Sequence, residues 1–218
     1  WYTKRSSNTH LELVCLLQNL YLLCMDISTL RNTHKQIVVF DTEYTTWEGA
    51  MERDWSGLNE HRELVQLAAA MINLDEKEIT STLNLTVRPR INTQVSSYFS
   101  NLTHISQESV DTGLDFAHAY DAFMDWVQEL PIFSYGQLGN ELGDGLILQE
   151  NINLYQLDVP FDEKQFYNVR TIFASAGIPT EKYNSGKLHQ HFGITVPGHQ
   201  HDALHDVVSL AASLFMLY

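Results

Sequence analysis

Acidic side chains stand at three separated places in this sequence where they could share divalent cations. Asp41 and Glu43 occupy alternate positions directly after the apolar residues 37–40. Alternate residues of a strand point to the same face, so this pair can hold one ion. Asp144 opens one helical pattern, and Asp206 lies near the start of another. Carboxylate oxygens suit Mg²⁺ or Mn²⁺, and two such ions can clamp the attacking and leaving oxygens of a phosphodiester.

A histidine accompanies the last of these acids. His201 precedes Asp206 by five positions, which puts the imidazole in a polar loop and the carboxylate in the first turns of the next helix. A neutral imidazole near pH 7 can take a proton from an attacking water. His199 and His205 lie close by, but only the spacing of His201 fits this arrangement of loop and helix.

Each motif also has an ordinary structural explanation. Asp41 and Glu43 could form a solvated strand end, and Asp144 could be a helix N-cap. Glu141 is a rival for Asp144, and His201 could be one of several surface histidines in its loop. The combination favours a shared site, because four acids at strand ends or helix starts can meet at one edge of a sheet.

Hydrophobic patterns predict the elements that would position these residues. We expect strands over residues 37–40, 64–74 and 79–87, with the last two joined by a polar turn, as an antiparallel meander. A fourth strand is expected over 132–136, and helices over 116–127, 144–154 and the residues after His201. Only a further helical segment is expected between 154 and His201. This mixed α/β order suits a central sheet with helices on its faces.

The first 35 residues differ from the rest. Residues 11–30 are apolar enough to raise the question of a membrane span, but polar residues interrupt them at Glu12, Gln18, Asn19 and Asp26. We expect an amphipathic helix packed on the domain, with a signal peptide as the alternative, and no membrane contact. Cys15 and Cys24 are too few for a zinc site or a disulfide framework, which favours free thiols in the cytoplasm. We predict a helical extension over 1–35 and one domain over 36–218.

The formal net charge of −14 restricts how the chain could bind nucleic acid. Proteins that adhere broadly to polyanions neutralise phosphates with many Lys and Arg side chains. An enzyme that grips one chain end can instead use bound divalent cations as its main positive charges. The composition therefore favours recognition of a chain end over broad electrostatic binding.

The three motifs and a middle segment together carry a resemblance to a known family. The motifs are residues 37–43 (IVVFDTE), 134–136 (SYG) leading to Asp144, and 201–206 (HDALHD), and the middle segment is VRP at 87–89 followed by LTHISQESVD at 102–111. Across residues 36–218 the sequence resembles the DEDDh 3′→5′ exonucleases, and it looks closest to their Eri/KapD-like branch. The resemblance implies an α/β, ribonuclease-H-like mixed central sheet with helices on both faces.

The resemblance also implies a role for each site residue. Asp41, Glu43 and Asp206 would bind a first Mg²⁺ or Mn²⁺ ion, Asp41 and Asp144 would serve a second, and His201 would be the general base. The terminal nucleotide would contact Thr42, Tyr44, Leu102 and Thr103. Two aromatic residues of the loop after the first motif could stack on bases or pack on the domain: Trp47 and Trp55.

The implied reaction is the release of 5′-mononucleotides from the free 3′ end of single-stranded nucleic acid, RNA rather than DNA. A DNA-trimming or proofreading exonuclease is one alternative, and a non-catalytic binding module of the same fold is another. The sequence departs from the family pattern in two places. His104 stands where the family usually has glycine, and the loop 137–143 is longer than usual. A side chain at position 104 could narrow the pocket for the terminal nucleotide or contact it.

Overall fold

The computed structural model describes residues 27–137 and 139–217, and a five-stranded sheet lies at its centre. The strands are β1 (Gln36–Tyr44), β2 (Leu64–Asn73), β3 (Glu78–Thr86), β4 (Ile132–Ser134) and β5 (Phe166–Asn168), in the sheet order β3-β2-β1-β4-β5. The pairs β1–β2 and β2–β3 are antiparallel, whereas β1–β4 and β4–β5 are parallel. The predicted meander is confirmed, and the sheet as a whole is mixed.

Helices cover both faces of this sheet. The α-helices of the described residues are α1 (Ile27–Thr33), α2 (Ser97–Thr103), α3 (Gln107–Asp111), α4 (Phe116–Val127), α5 (Gly145–Leu154), α6 (Arg170–Ser175) and α7 (Ala203–Met216). Short 3₁₀ helices lie at Glu163–Gln165, Thr180–Lys182 and Ser185–Phe192. One core packs β1 against α6 and α7, and the other packs β1 against α4 and α5.

The central position of β1 explains its continuous apolar run. Ile37 and Val39 belong to the core beneath α7, whereas Val38 and Phe40 belong to the core beneath α4 and α5. A strand buried on both faces reads as an unbroken hydrophobic segment rather than an alternating one. The two carboxylates at its end are therefore delivered from a strand that is buried on both faces.

The predicted helix faces are also those that the structure buries. In α4 the side chains of Phe116, Tyr120, Phe123 and Val127 are buried, with Met124 partly buried beside them. In α7 the side chains of Ala203, Val207, Leu210 and Leu214 are fully buried, with Leu217 partly buried at the end. Each apolar stripe faces the sheet, as the helical periodicity predicts.

The prediction of only helical structure between residue 154 and His201 is wrong. Residues Phe166–Asn168 form β5, which pairs in parallel with β4 at the edge of the sheet. Three residues are too few to show an alternating pattern, so parallel pairing rather than local sequence defines this strand.

The predicted N-terminal extension lies mostly outside the described residues, as do Cys15, Cys24 and most of the apolar stretch 11–30. Its last part forms α1, whose Leu30 is fully buried in the core beneath α7. Within the described part of the chain, each helix is too short or too polar to cross a membrane.

Candidate active site

Three acids from two elements meet at the end of β1. Asp41 and Glu43 lie on one face of the strand, and Asp206 projects from the first turn of α7. All three are buried, and one carboxylate oxygen of each lies within 4.8 Å of the others. Oxygen donors at such separations can share a single hard divalent cation.

Asp144 adds a fourth carboxylate beside this cluster. It stands at the N-cap position of α5, yet its side chain makes no capping hydrogen bond, so the N-cap explanation does not account for it. Its backbone N–H donates to Ser134 Oγ at 2.7 Å. The preceding Gly143 has φ +55°, and a Cβ there would lie 2.1 Å from the same Ser134 Oγ. The rival Glu141 is exposed and does not line the cavity described below.

Burial raises the pKa of all four carboxyl groups. The pKa values of Asp41 and Glu43 lie well above their usual range, because burial is reinforced by repulsion from Asp206 and Asp144. The pKa of Asp144 is raised to about 7 by burial and by repulsion from Asp206. Burial raises the pKa of Asp206 to about 6. A divalent cation would relieve this repulsion and favour the ionised forms.

Ser185 and Gly186 shape the surroundings of Asp206, although their role is not evident from the sequence. Ser185 Oγ donates to Asp206 Oδ2 at 3.2 Å and also lowers the pKa of Asp41 by hydrogen bonding. A Cβ on Gly186 would lie 2.2 Å from Asp206 Oδ1, so only glycine fits there without rearrangement. Asp206 Oδ1 itself is buried and has no hydrogen-bond partner among the described residues. An orphaned carboxylate oxygen in this cluster fits a metal ligand.

The loop before α7 holds His201 at the wall of the cavity. Its backbone has φ +66°, an uncommon conformation for a residue other than glycine. Burial lowers the pKa of His201, and the charges of Lys187 and His199 lower it further, which favours a neutral ring at pH 7. The Nε2 atom lies 2.9 Å from Gln200 Nε2.

The two neighbouring histidines are engaged elsewhere. His205 is buried, with Nδ1 2.8 Å from the carbonyl oxygen of Pro197 and Nε2 3.2 Å from that of Gly186. His199 Nδ1 lies 2.8 Å from the carbonyl oxygen of Gln200. Of these three rings, only that of His201 belongs to a residue that lines the cavity.

Gln66 is a third residue whose role is not evident from the sequence. It lies on β2, and its Oε1 accepts from the backbone N–H of Ala203 at 3.0 Å while its Nε2 donates to Asp202 Oδ1 at 3.0 Å. Asp202 in turn caps α7 through the N–H of Leu204. This buried amide fixes the start of the helix that carries Asp206.

The acids and His201 face one cavity of about 610 Å³. Its walls also contain three of the predicted substrate contacts, Thr42, Tyr44 and Leu102, and the two loop tryptophans, Trp47 and Trp55. Trp55 packs edge-on against Tyr44, with ring centroids 5.7 Å apart. Thr103 is different: its side chain is buried outside the wall, and its hydroxyl donates to the carbonyl oxygen of Phe99 at 3.0 Å.

His104 ends α2 in a left-handed conformation, with φ +60°. Glycine adopts this conformation without strain, which gives a physical reason for the glycine usual in the family pattern. The ring of His104 is outside the cavity wall and packs on His199, with ring centroids 4.1 Å apart. His104 thus contacts the loop that carries His201, and an effect of position 104 on the nucleotide pocket stays a prediction.

Polar atoms without partners concentrate around this cavity. Among the described residues, six buried side-chain nitrogen or oxygen atoms lack a hydrogen-bond partner, and five belong to cavity residues: Thr42, Trp55, Arg170, Asn184 and Asp206. Buried polar groups in folded proteins are nearly always paired. The cavity therefore presents several polar atoms that an occupant such as water, a cation or a polar ligand could satisfy.

The sequence of this chain is similar to those of known proteins. The family model RNase_T, described as Exonuclease, matches residues 38–214. The 3′-5′ exonuclease Snipper of Drosophila melanogaster is 24% identical over 198 residues, covering 82% of this chain and 68% of the fly protein. Human 3′-5′ exoribonuclease 1 is 25% identical over 154 residues, covering 68% of this chain and 44% of the human protein. The chain therefore spans less than half the length of the human relative.

A solved structure supports the same grouping at the level of the fold. The nuclease domain of 3′hExo, a DEDDh family member, superimposes with a TM-score of 0.70 at 23% identity, covering 84% of this chain and 92% of that domain. This likeness confirms the predicted ribonuclease-H-like sheet with helices on both faces. The family match confirms the predicted exonuclease, since it runs from β1 into α7 and includes all three acidic motifs. The chain belongs to the RNase_T family of exonucleases.

Proposed function

We propose that this chain is a divalent-metal-dependent 3′→5′ exonuclease that releases 5′-mononucleotides from the free 3′ end of single-stranded nucleic acid, RNA in preference to DNA. The observation that carries the proposal is the buried cluster of Asp41, Glu43 and Asp206 beside Asp144, inside a cavity that also contains His201. The names of the fly and human relatives support the polarity, and the name of the human relative supports RNA. The 3′hExo structure, which is bound to rAMP, supports a nucleotide as the occupant.

The four carboxylates fit two Mg²⁺ or Mn²⁺ ions. Asp41, Glu43 and Asp206 would hold the first ion, and Asp41 with Asp144 would hold the second. Their raised pKa values and the unpartnered Oδ1 of Asp206 are properties that a bound cation would relieve. When bound, the two cations would polarise the phosphodiester and offset negative charge on its attacking and leaving oxygens.

The remaining residues would orient the substrate and move the proton. His201, neutral because burial lowers its pKa, would accept a proton from the attacking water. Thr42, Tyr44 and Leu102 would form the pocket for the terminal nucleotide, together with backbone groups near Thr103. A cavity of about 610 Å³ falls in the size range of ordinary small-molecule sites.

The direct test is degradation of 5′-labelled and 3′-labelled RNA and DNA oligonucleotides in Mg²⁺, in Mn²⁺ and in EDTA. We expect progressive shortening of 5′-labelled RNA, immediate release of the 3′ label, and no hydrolysis in EDTA. A 3′-phosphate should slow the reaction sharply. Robust hydrolysis in EDTA, or efficient cutting of circular single strands, would exclude the proposal, and faster hydrolysis of DNA would favour a DNA-trimming enzyme.

Single substitutions, each paired with a control, test the proposed roles of Asp41 and His201. Asp41→Asn should abolish turnover, whereas Glu141→Gln, an exposed acid near Asp144, should leave turnover unchanged. His201→Ala should lower the rate by about 10² to 10⁴, the usual cost of losing a general base, while metal binding persists. The opposite result would show that the general base is misassigned: a small loss of rate in His201→Ala, and a large loss of rate in His205→Ala at normal thermal stability.

A further inference from the structure

Two Lys or Arg side chains line the cavity, and they are in different situations. Arg62 forms an ion pair with Glu150, and its guanidinium lies over the rings of Trp55 and Tyr44, at 5.3 and 6.0 Å from their centroids. Arg170 makes no ion pair with any acid among the described residues. Of these two cavity cations, Arg170 is therefore the one without an ion-pair partner among the described residues.

The guanidinium of Arg170 also has hydrogen-bonding capacity to spare. One terminal nitrogen donates to the carbonyl oxygen of Thr180 at 2.9 Å, and the other makes a long contact of 3.5 Å with that of Gly136. Its Nε–H is buried without an acceptor in the described protein. A guanidinium carries five N–H donors in a rigid fork, so most of them have no protein partner.

The position of Arg170 is fixed by its surroundings. Its guanidinium lies over the ring of Tyr135 at 5.4 Å. Asn168 at the end of β5 accepts from the backbone N–H groups of Arg170 and Gly136, at 3.0 and 3.2 Å. The same side chain donates to the carbonyl oxygens of Gln137 and Asn140, at 2.8 and 2.7 Å. A cation held in this way loses little conformational freedom on binding a ligand.

We propose that Arg170 binds a backbone phosphate of the nucleic acid strand on the 5′ side of the scissile bond, an inference that rests on the proposed exonuclease function. An arginine fork matches phosphate oxygens geometrically and retains its charge at all working pH values. None of the four site carboxylates lies within ion-pairing distance of Arg170. We assign to it a phosphate other than the one at the acids, and since the 3′-terminal nucleotide ends in a free hydroxyl, any such phosphate lies on the 5′ side of the scissile bond.

This contact can be tested by neutralising the backbone phosphates of the substrate one at a time. The substrates are single-stranded RNA oligonucleotides with one methylphosphonate linkage at successive positions from the 3′ end, and a nitrophenyl ester of a 5′-mononucleotide that has no upstream phosphate. The enzymes are wild type, Arg170→Gln and Arg170→Lys. The control is Arg88→Gln, which removes an exposed arginine outside the cavity wall.

We expect Arg170→Gln to lower kcat/KM on the unmodified oligonucleotide about tenfold, the usual effect of one hydrogen-bonded charge contact. The slope of log kcat/KM against log salt should fall by about 0.7, as for one phosphate contact on a single strand. Hydrolysis of the nitrophenyl ester should stay unchanged. One methylphosphonate position should impair wild type by the same factor and cause no further loss in Arg170→Gln, while Arg88→Gln behaves as wild type.

Several outcomes would overturn the inference. An Arg170→Gln variant that loses equal activity on ester and oligonucleotide would show a structural role or a contact with the scissile phosphate, and either would exclude the upstream contact. If that variant does not fold, the wild-type scan still decides, because uniform sensitivity to methylphosphonate at all upstream linkages would rule out a localised contact. A wild-type enzyme that hydrolyses neither substrate would refute the proposed function itself rather than this contact.

Discussion

A steric restriction directly beside the acid cluster concerns a residue that has no side chain. Gly186 belongs to the 3₁₀ helix Ser185–Phe192, which passes directly beside the Asp206 carboxylate. The same segment supplies the Ser185 hydroxyl that donates to Asp206 Oδ2. The orientation of this metal-ligand candidate is therefore set by a neighbouring backbone as much as by its own helix.

We predict that Gly186→Ala abolishes metal binding and activity. The added Cβ would lie 2.2 Å from Asp206 Oδ1, which is far inside contact distance, so the carboxylate must turn away from Asp41 and Glu43. Isothermal titration calorimetry with Mn²⁺, together with the nuclease assay, measures both effects. Gly113→Ala is the matched control, because its Cβ would meet the Thr86 carbonyl oxygen at 2.9 Å away from the cavity. That control should lose stability but keep Mn²⁺ affinity, and a Gly186→Ala variant with normal Mn²⁺ affinity would contradict the steric argument.

Among the elements, those with a continuous apolar run or a long apolar stripe are the ones that the sequence predicts. The unbroken apolar run of β1 and the stripe of α7 identify the strand end and helix start that carry Asp41 and Asp206. β5 could not be predicted because its three residues gain their strand character from pairing with β4. The contributions of Ser185 and Gln66 were not predictable for a related reason: both act on residues more than 20 positions away in sequence, and no local pattern records such contacts.

The burial of helix α1 leads to a prediction about the stability of the domain. Leu30 is fully buried in the core beneath α7, although it precedes the predicted domain start at residue 36. We expect Leu30→Ala to lower the free energy of unfolding by about 2 to 5 kcal/mol, the usual cost of such a truncation in a core. Urea unfolding monitored by circular dichroism measures this change, with exposed Asn32→Ala as the control. Equal stability of the two variants would mean that α1 is an appendage rather than part of the exonuclease domain.

For the whole molecule, the buried acids couple stability to pH and to divalent cations. Their folded-state pKa values are raised, to about 6 for Asp206 and about 7 for Asp144, above the values near 4 of the unfolded chain. Between these limits the folded protein binds more protons than the unfolded one, so the free energy of unfolding falls as pH rises. His189 and His201, whose pKa values burial lowers from 6.5, act in the opposite direction.

We therefore predict that, in EDTA, Asp144→Asn flattens the fall in Tm between about pH 5 and pH 8, because it removes one raised carboxyl and leaves the histidines unchanged. Added Mn²⁺ should raise the Tm of wild type more at pH 8 than at pH 5, since the cation competes with protons for the same oxygens. Differential scanning calorimetry of both proteins measures these shifts. A Mn²⁺ effect that is larger at pH 5 would contradict the assignment of these carboxyl groups as ligands.

Asn168 joins two parts of the cavity that would otherwise be separate. One amide holds the loop of Gln137 and Asn140 with its Nδ2 and the backbone of Gly136 and Arg170 with its Oδ1. During evolution or engineering, the length of that loop and the placement of Arg170 are thus not independent variables. An insertion in the loop that displaces Asn168 would alter substrate affinity at a distance. If the loop changes in length, Arg170 would keep its place only where the carbonyl oxygens at positions 137 and 140 still accept from the Asn168 amide.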